Sequence, residues 1–453
     1  MTLLASAMMV LLSGCGASDD RKEAAFPPHD HDHSHDHDHG HGTDDSVTAE
    51  ISNGRLLIAE KGSNHAYVYS LAQQKVIQTL TLAANADALQ TSPEGNYALV
   101  LDRSQQLVNF YHSGLEIEDH GDHNHPYARD VSKMPLQLSY PRPVHYQVFG
   151  SQAGLFFDGI GAAGNPIANP KQSAGFALVT DADIAKGKLA YQALNTNMHG
   201  SSEPRGDYMI STGRYDTVGS PLADTVAVFE RHNDHYHLTQ QFSEKCSGLH
   251  GSSSTADHTV FACSDGLLKV TQSQNTFSAE KLPYPVSLSQ TQCKRDDGSL
   301  GAARIGSFAK NPDRQSLVGT ACGQPYHIDP ARKAITPIIW STDASRQVLS
   351  YDFDTSGKTL MLLDSLGELH LLDVAQNYKE LAKIALFAKG LENTGHGGPS
   401  LIQSPNTNHV YIMDSDGKQI FDIDLTTKSL AETLKLGFTP SQMTWFGLKT
   451  KKS

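Results

Sequence analysis

The sequence predicts an all-β fold, a β-propeller of eight blades closed by its C-terminal strand, on three observations. Short β-rich runs punctuated by turn residues follow one another, with no sustained helical period. A turn-then-strand unit recurs at a spacing of roughly 40 to 60 residues, which is the period of propeller blades. The first block of strands lacks an inner partner, and the chain ends on a strand that lacks a block.

From about Ile51 the runs RLLIAE, HAYVYSL, KVIQTLTL, NYALVLD and LVNFYHS read as antiparallel strands. The stretch DADIAKGKLAYQAL offers a short, ambiguous helical period. Aligned on their turns, TSPEGNYALVLD, SQAGLFFDG, EPRGDYMISTG, STADHTVFACSDG, NPDRQSLVGTACG, TSGKTLMLLDSLG and SPNTNHVYIMDSDG each place a polar turn before an apolar strand. Most then run into an acidic or glycine turn. An eighth blade is composite: SQMTWFGL supplies the inner strand that the block at Ile51 lacks. Seven blades is the alternative count, because repeats this degenerate are easily miscounted, and two β-sandwich domains form the competing architecture. Four-stranded blades in a ring leave only short, protected edges.

Length and composition set the frame for function. The 453 residues carry a net charge of -13 and are 38% hydrophobic, enough for a large core and too polar for a membrane bundle. An acidic balance argues against nucleic acid as a partner and suits the handling of cations. We expect three segments: residues 1–15 as a signal or lipobox segment, 16–48 as a flexible His/Asp-rich arm, and 49–453 as the propeller. The first fifteen residues, MTLLASAMMVLLSGC, are apolar, too short to span a bilayer and polar immediately afterwards. Their LSGC ending resembles a lipobox, which would make Cys15 a lipid-bearing residue on the periplasmic side of a membrane. Simple cleavage would instead leave the protein free in the periplasm. Cys246, Cys263, Cys293 and Cys322 remain, an even number in an oxidising compartment and without a CxxC spacing. Two disulfides are expected, and 246 with 263 and 293 with 322 is the simplest of three pairings.

The arm holds the densest chemistry. His29, His31, His33, His35, His37, His39 and His41 alternate with aspartates and small residues, a composition with no apolar atoms to bury. Neutral imidazoles offer nitrogen lone pairs, and the carboxylates between them concentrate cations. A metal-catching tether follows; a solvated linker is the bland alternative. Imidazole suits zinc, copper, nickel and iron, so this composition does not choose among them.

Within the propeller, histidines recur where each blade's innermost strand begins: His145 in PRPVHYQVFG, His199 in TNMHGSSEP, His250 in SGLHGSSST and His396 in NTGHGGPSL. Three of the four precede glycine. One position reused on several blades would bring distant imidazoles into one pocket, as a tetrahedral zinc site requires. Asp87 in ANADALQTS falls near the same place in its own blade. A contiguous cluster, EDHGDHNHP, puts His120, His123 and His125 at HxxHxH spacing beside Asp119 and Asp122, in a long connection from about His112 to Met134. For either group the bland reading is a set of imidazoles bonded to backbone or to water. The third histidine group, Arg231 to His237, is set aside, because Asn233 and Asp234 read as a hairpin turn whose alternate side chains face different sides. His65, His112, His258, His327, His370 and His409 are assigned to structure. No GxSxG, P-loop or HExxH occurs, and Glu203 and Asp87 are the sole general-base candidates for a metal-activated hydrolysis.

An exported propeller with a His-Asp arm, an HxxHxH loop and repeated His-Gly positions resembles the periplasmic zinc metallochaperones of the AztD type. The resemblance implies Zn2+ as the metal, no enzymatic activity, and direct transfer to the solute-binding protein of a zinc ABC importer by what is expected to be a monomer. A metal buffer or store and a propeller metalloenzyme are the other two functions this layout accommodates.

Overall fold

The computed structural model describes residues 45–121, 124–160, 172–214, 222–294, 298–391 and 399–450. Eight antiparallel four-stranded sheets form an eight-bladed propeller. Blade 1 is composite, as expected: Pro440–Phe446 lies innermost, followed outward by Arg55–Glu60, His65–Ser70 and Lys75–Thr81. Arg55 pairs with Phe446 and Leu57 with Thr444. Gly54 makes the closure possible. Its φ is +74, and a Cβ there would lie 2.5 Å from the indole of Trp445, whose Nε1 donates to the Asn53 carbonyl at 2.9 Å.

The middle strands read as unbroken apolar runs because both faces of each blade are covered by neighbours. Tyr97–Asp102 is buried at every position, whereas the outermost strand Lys75–Thr81 is largely exposed. Apolar side chains therefore gather in the seams between blades. One seam packs Phe156 and Phe176 of blade 3 against Met209, Val228 and Phe229 of blade 4, and on to Phe261 and Leu268 of blade 5. A register shift recurs between third and fourth strands, at Val68/Tyr69, Val228/Phe229, Leu371/Leu372 and Asp422/Ile423, adding local twist at the rim.

Four features depart from the sequence reading or refine it. A helix, Asp45–Asn53, spans the expected boundary at residue 48, and it buries Ile51 where a strand pattern was expected to begin. Its Glu50 pairs with Arg55 at 2.8 Å and bonds Ser70, so the helix is pinned to blade 1. The ambiguous stretch is one helical turn, Asp181–Ala185, capped by Thr180, before the strand Tyr191–Ala193. The long connection after His112 contains a two-stranded hairpin, Leu115–Asp119 and Asn124–Ala128, inserted between the third and fourth strands of blade 2. A second insert, Gln292–Lys294 with Leu300–Ala302, lies between blades 5 and 6, and the Cys293–Cys322 disulfide ties it to blade 6. The other disulfide joins Cys246 to Cys263 with Cα atoms 4.8 Å apart. Among the described residues, no helix is long and apolar enough to cross a membrane.

Candidate metal site

Three consecutive blades each contribute one imidazole to a common cluster. His145 lies in Pro143–Phe149, the inner strand of blade 3, at a break in register between Pro143 and Tyr146. His199 precedes the inner strand Ser202–Arg205 of blade 4, and His250 precedes Ser252–Ser254 of blade 5. One ring nitrogen from each lies within 4.8 Å of those from the other two, and ring centroids are separated by 4.6 Å (145 to 199), 5.2 Å (199 to 250) and 5.8 Å (145 to 250). All three are partly buried.

The outer contacts fix which nitrogen is free. Nδ1 of His145 donates to the carbonyl of Gly200 at 2.7 Å, and Nδ1 of His250 donates to the carbonyl of Gly306 at 3.0 Å. Nδ1 of His199 donates to Oδ2 of Asp158 at 3.0 Å. Carbonyl and carboxylate oxygens only accept, so each neutral ring carries its proton on Nδ1 and its lone pair on Nε2. This is how protein groups around a metal orient histidine ligands. The glycines of the His-Gly repeat have a packing reason: a Cβ on Gly200 would lie 2.8 Å from Phe156 Cζ and closer still to the Thr212 hydroxyl, and one on Gly251 would lie 2.6 Å from the Gly306 carbonyl. Glycine thus lets one blade's backbone approach the imidazole of another.

Burial disfavours the charged form of two of the three rings. Burial, with the His199 and His250 rings adding to it, pushes His145 down to about 4, against the opposing pull of the Gly200 carbonyl. Burial also lowers His250, opposed by the Gly306 carbonyl and reinforced by His199 and by the Arg304 cation. Asp158 supplies the local negative charge: it follows the strand Gln152–Phe157, is largely buried, and leaves Oδ1 without a hydrogen-bond partner. Sequence reasoning missed Asp158, although the acidic turn closing each repeat was the signal that could have found it.

The other candidates are distributed differently. His396, His123, Cys15 and the arm from His29 to His41 lie outside the described residues. The strand that follows His396, Leu401–Gln403, is the inner strand of blade 8, not of a blade next to the cluster. Asp87 is not brought to the triad; it is exposed, and its Oδ2 accepts from the Arg103 backbone N–H. Glu203 is fully buried and accepts from the hydroxyls of Ser252 at 2.7 Å and Ser254 at 2.9 Å, with burial raising its pKa. Those serines hold a carboxylate between blades and are not nucleophiles in waiting. On the inserted hairpin, the rings of His120 and His125 meet edge to face at 4.9 Å, with Glu118 Oε2 3.7 Å from His120.

Two further groups bear on the reading. Asp364, Glu368 and His370 converge, but Arg346 bonds both carboxylates and Lys383 reaches Glu368, so cations of the chain already fill that cluster. His370 also bonds Glu380 at 2.7 Å, in keeping with a structural role. The hairpin from Arg231 to His237 departs from the expectation that its histidines face different sides. His232 pairs with His235 across the turn, and His237 lies two residues further along, so all three rings share one face of the hairpin.

Comparison with known proteins adds what geometry alone does not. The zinc chaperone AztD of Citrobacter koseri is 23% identical to the chain over 393 residues, which cover 85% of this chain and 83% of AztD. The chain is a homologue of AztD. Two crystal structures of Citrobacter koseri AztD, one of them the apo form, match it with a TM-score of 0.69 and 18% identity. They cover 88% of this chain and 99% and 100% of AztD, so the propeller fold is shared along nearly the full length. No family model matches the chain. AztD is described as a chaperone rather than as an enzyme.

Proposed function

We propose that the chain is a periplasmic zinc metallochaperone, which captures zinc and passes it directly to the solute-binding protein of a zinc ABC importer. The observation that carries this reading is the engagement of all three Nδ1 atoms in the triad of His145, His199 and His250, which leaves three Nε2 lone pairs for one cation. Homology to a zinc chaperone supports zinc as the cargo and transfer as the task.

In this reading the triad supplies three of the four positions of a tetrahedral ion, and the fourth stays open to an incoming ligand of the acceptor. Asp158 orients His199 and offsets one of the two cationic charges. The arm from His29 to His41 collects zinc weakly and quickly. Because the arm is covalently joined to the propeller, its effective concentration there is about millimolar. The stretch with His120, His123 and His125 offers further ligands for capture or exchange. Export brings the protein to the periplasm, where Cys15 either carries lipid or is removed with the signal.

Competitive zinc titration of the full chain against a chromophoric chelator tests the assignment. The pair His199→Ala and His250→Ala is expected to abolish one tight zinc, while the pair His120→Ala and His123→Ala leaves it in place. The reverse result moves the tight site to the hairpin. Stopped-flow transfer to an apo solute-binding protein, faster than release of zinc to a chelator, tests direct handover.

A further inference from the structure

We propose that the outer hairpin of blade 4 carries a second metal site: one solvent face formed by His232, His235, His237 and Glu230, which takes a borderline divalent cation such as zinc.

The register builds the face. In the pairing of Thr225–His232 with His235–Gln241, His232 lies opposite His235 and Glu230 opposite His237. Side chains on successive rungs of one face alternate with those of the other, so these four project together. Arg231 and Tyr236, also paired, project to the opposite side. Tyr236 is buried with its ring 5.2 Å from Phe176, which anchors the strand beneath the histidines. Arg231 reaches Asp183 at 3.3 Å, so its cation is held away from the imidazole face. The turn is fixed as well, by Asn233 at a φ of 59 and by Asp234 paired to Lys188 at 2.7 Å.

Two nitrogens of the face already lie at ligand spacing. Nε2 of His235 and Nε2 of His237 are 3.1 Å apart, close to the separation of roughly 3.3 Å between two nitrogens bound to one tetrahedral zinc. His232 stands beside this pair, its centroid 4.7 Å from that of His237 and 6.3 Å from that of His235, with Glu230 Oε2 3.9 Å from its Nε2, so rotation of this exposed ring is what brings a third nitrogen to the ion. Nδ1 of His235 donates to Asp234 Oδ1 at 3.2 Å, which leaves the His235 lone pair on Nε2. In the metal-free face, His237 therefore donates its Nε2–H to that lone pair. On binding, His237 carries its single proton on Nδ1 instead, exchanged through solvent, so both nitrogens face the ion with no net change in protonation. Three imidazoles and a carboxylate suit zinc, nickel or copper better than magnesium or calcium.

The test is carbethoxylation of histidines in the full chain, with zinc alone as the probe and the modified peptides resolved by mass spectrometry. Zinc should suppress labelling of His235 and His237 together, and His232→Ala should move the protection midpoint upward by about tenfold. Unchanged labelling of both rings at zinc concentrations that protect His199 and His250 would overturn the proposal, and so would an unchanged midpoint in His232→Ala. Each histidine group is read on its own peptide, so failure here leaves the channel triad untouched. All four side chains project to solvent, and protection in the wild-type chain is decisive even if a variant expresses poorly.

Discussion

The Nδ1–H of His199 donates to Oδ2 of Asp158 across 3.0 Å, and this bond joins blade 4 to blade 3 at the floor of the triad. Asp158→Asn keeps the size of the side chain and removes its charge. We expect zinc affinity at the triad to fall by roughly 10- to 100-fold, the usual cost of losing a partner that orients a metal-bound histidine. Competitive titration with circular dichroism as a fold control measures it, and an unchanged affinity would mean that Asp158 is only a structural acceptor.

Acid should weaken the metal-free protein through His145. The pKa of this ring falls from the ordinary 6.5 to about 4 in the folded chain, chiefly through burial. The unfolded chain therefore binds more protons between those values, so stability is full above about pH 6.5 and is lost as pH falls toward 4. The loss is at most about 3 kcal/mol. Urea melts of the metal-free protein at pH 7, 6 and 5 should show the decline, and His145→Gln should flatten it.

Removing the disulfide between Cys246 and Cys263 should cost about 3 kcal/mol, given the 17 residues it spans. It should also disturb zinc binding, because His250 lies within the loop it closes. A double Cys246→Ala and Cys263→Ala variant is expected to bind zinc more weakly than the matching Cys293→Ala and Cys322→Ala variant, whose bridge encloses no triad ring and only the Gly306 carbonyl that orients His250. Equal affinities would contradict the argument.

Gly200→Ala should behave as an overpacked seam. The new methyl group meets Phe156 and the Thr212 hydroxyl, at a cost of about 1–3 kcal/mol. It also displaces the carbonyl that holds His145, so thermal stability and zinc affinity should fall together. Loss of stability with intact zinc binding would show that the carbonyl does not position the ring.

Trp445→Ala should destabilise the ring by about 3–5 kcal/mol, since the indole fills the clasp of blade 1 beside Gly54. A melt that splits into two transitions would indicate that the ring opens before the other blades unfold.

The blade repeat was legible because a turn followed by an apolar strand is a local pattern, and the composite blade followed from one missing strand and one spare. The helix Asp45–Asn53 was not legible, since its single buried flank, Glu50 and Ile51, is anchored by Arg55 and Ser70 rather than by its own periodicity. The gathering of His145, His199 and His250 was readable as one position on successive repeats. The role of Asp158 was not, because it follows a strand of blade 3 whereas its histidine precedes the inner strand of blade 4. The shared face of His232, His235 and His237 does not follow from strand alternation alone, since across a two-residue turn the flanking residues face the same way.

The clasp in blade 1 also sets an order of assembly. Arg55–Glu60, near the start of the propeller, waits for Pro440–Phe446 before its inner edge is paired. Contacts of such long range are slow to form, and until then that edge remains open to a wrong neighbour. Blades 3, 4 and 5 are contiguous in the chain, so the three imidazoles can be framed by local sheets while the ring is still open. A polypeptide still emerging could thus have its ligands in place first and acquire its lock last.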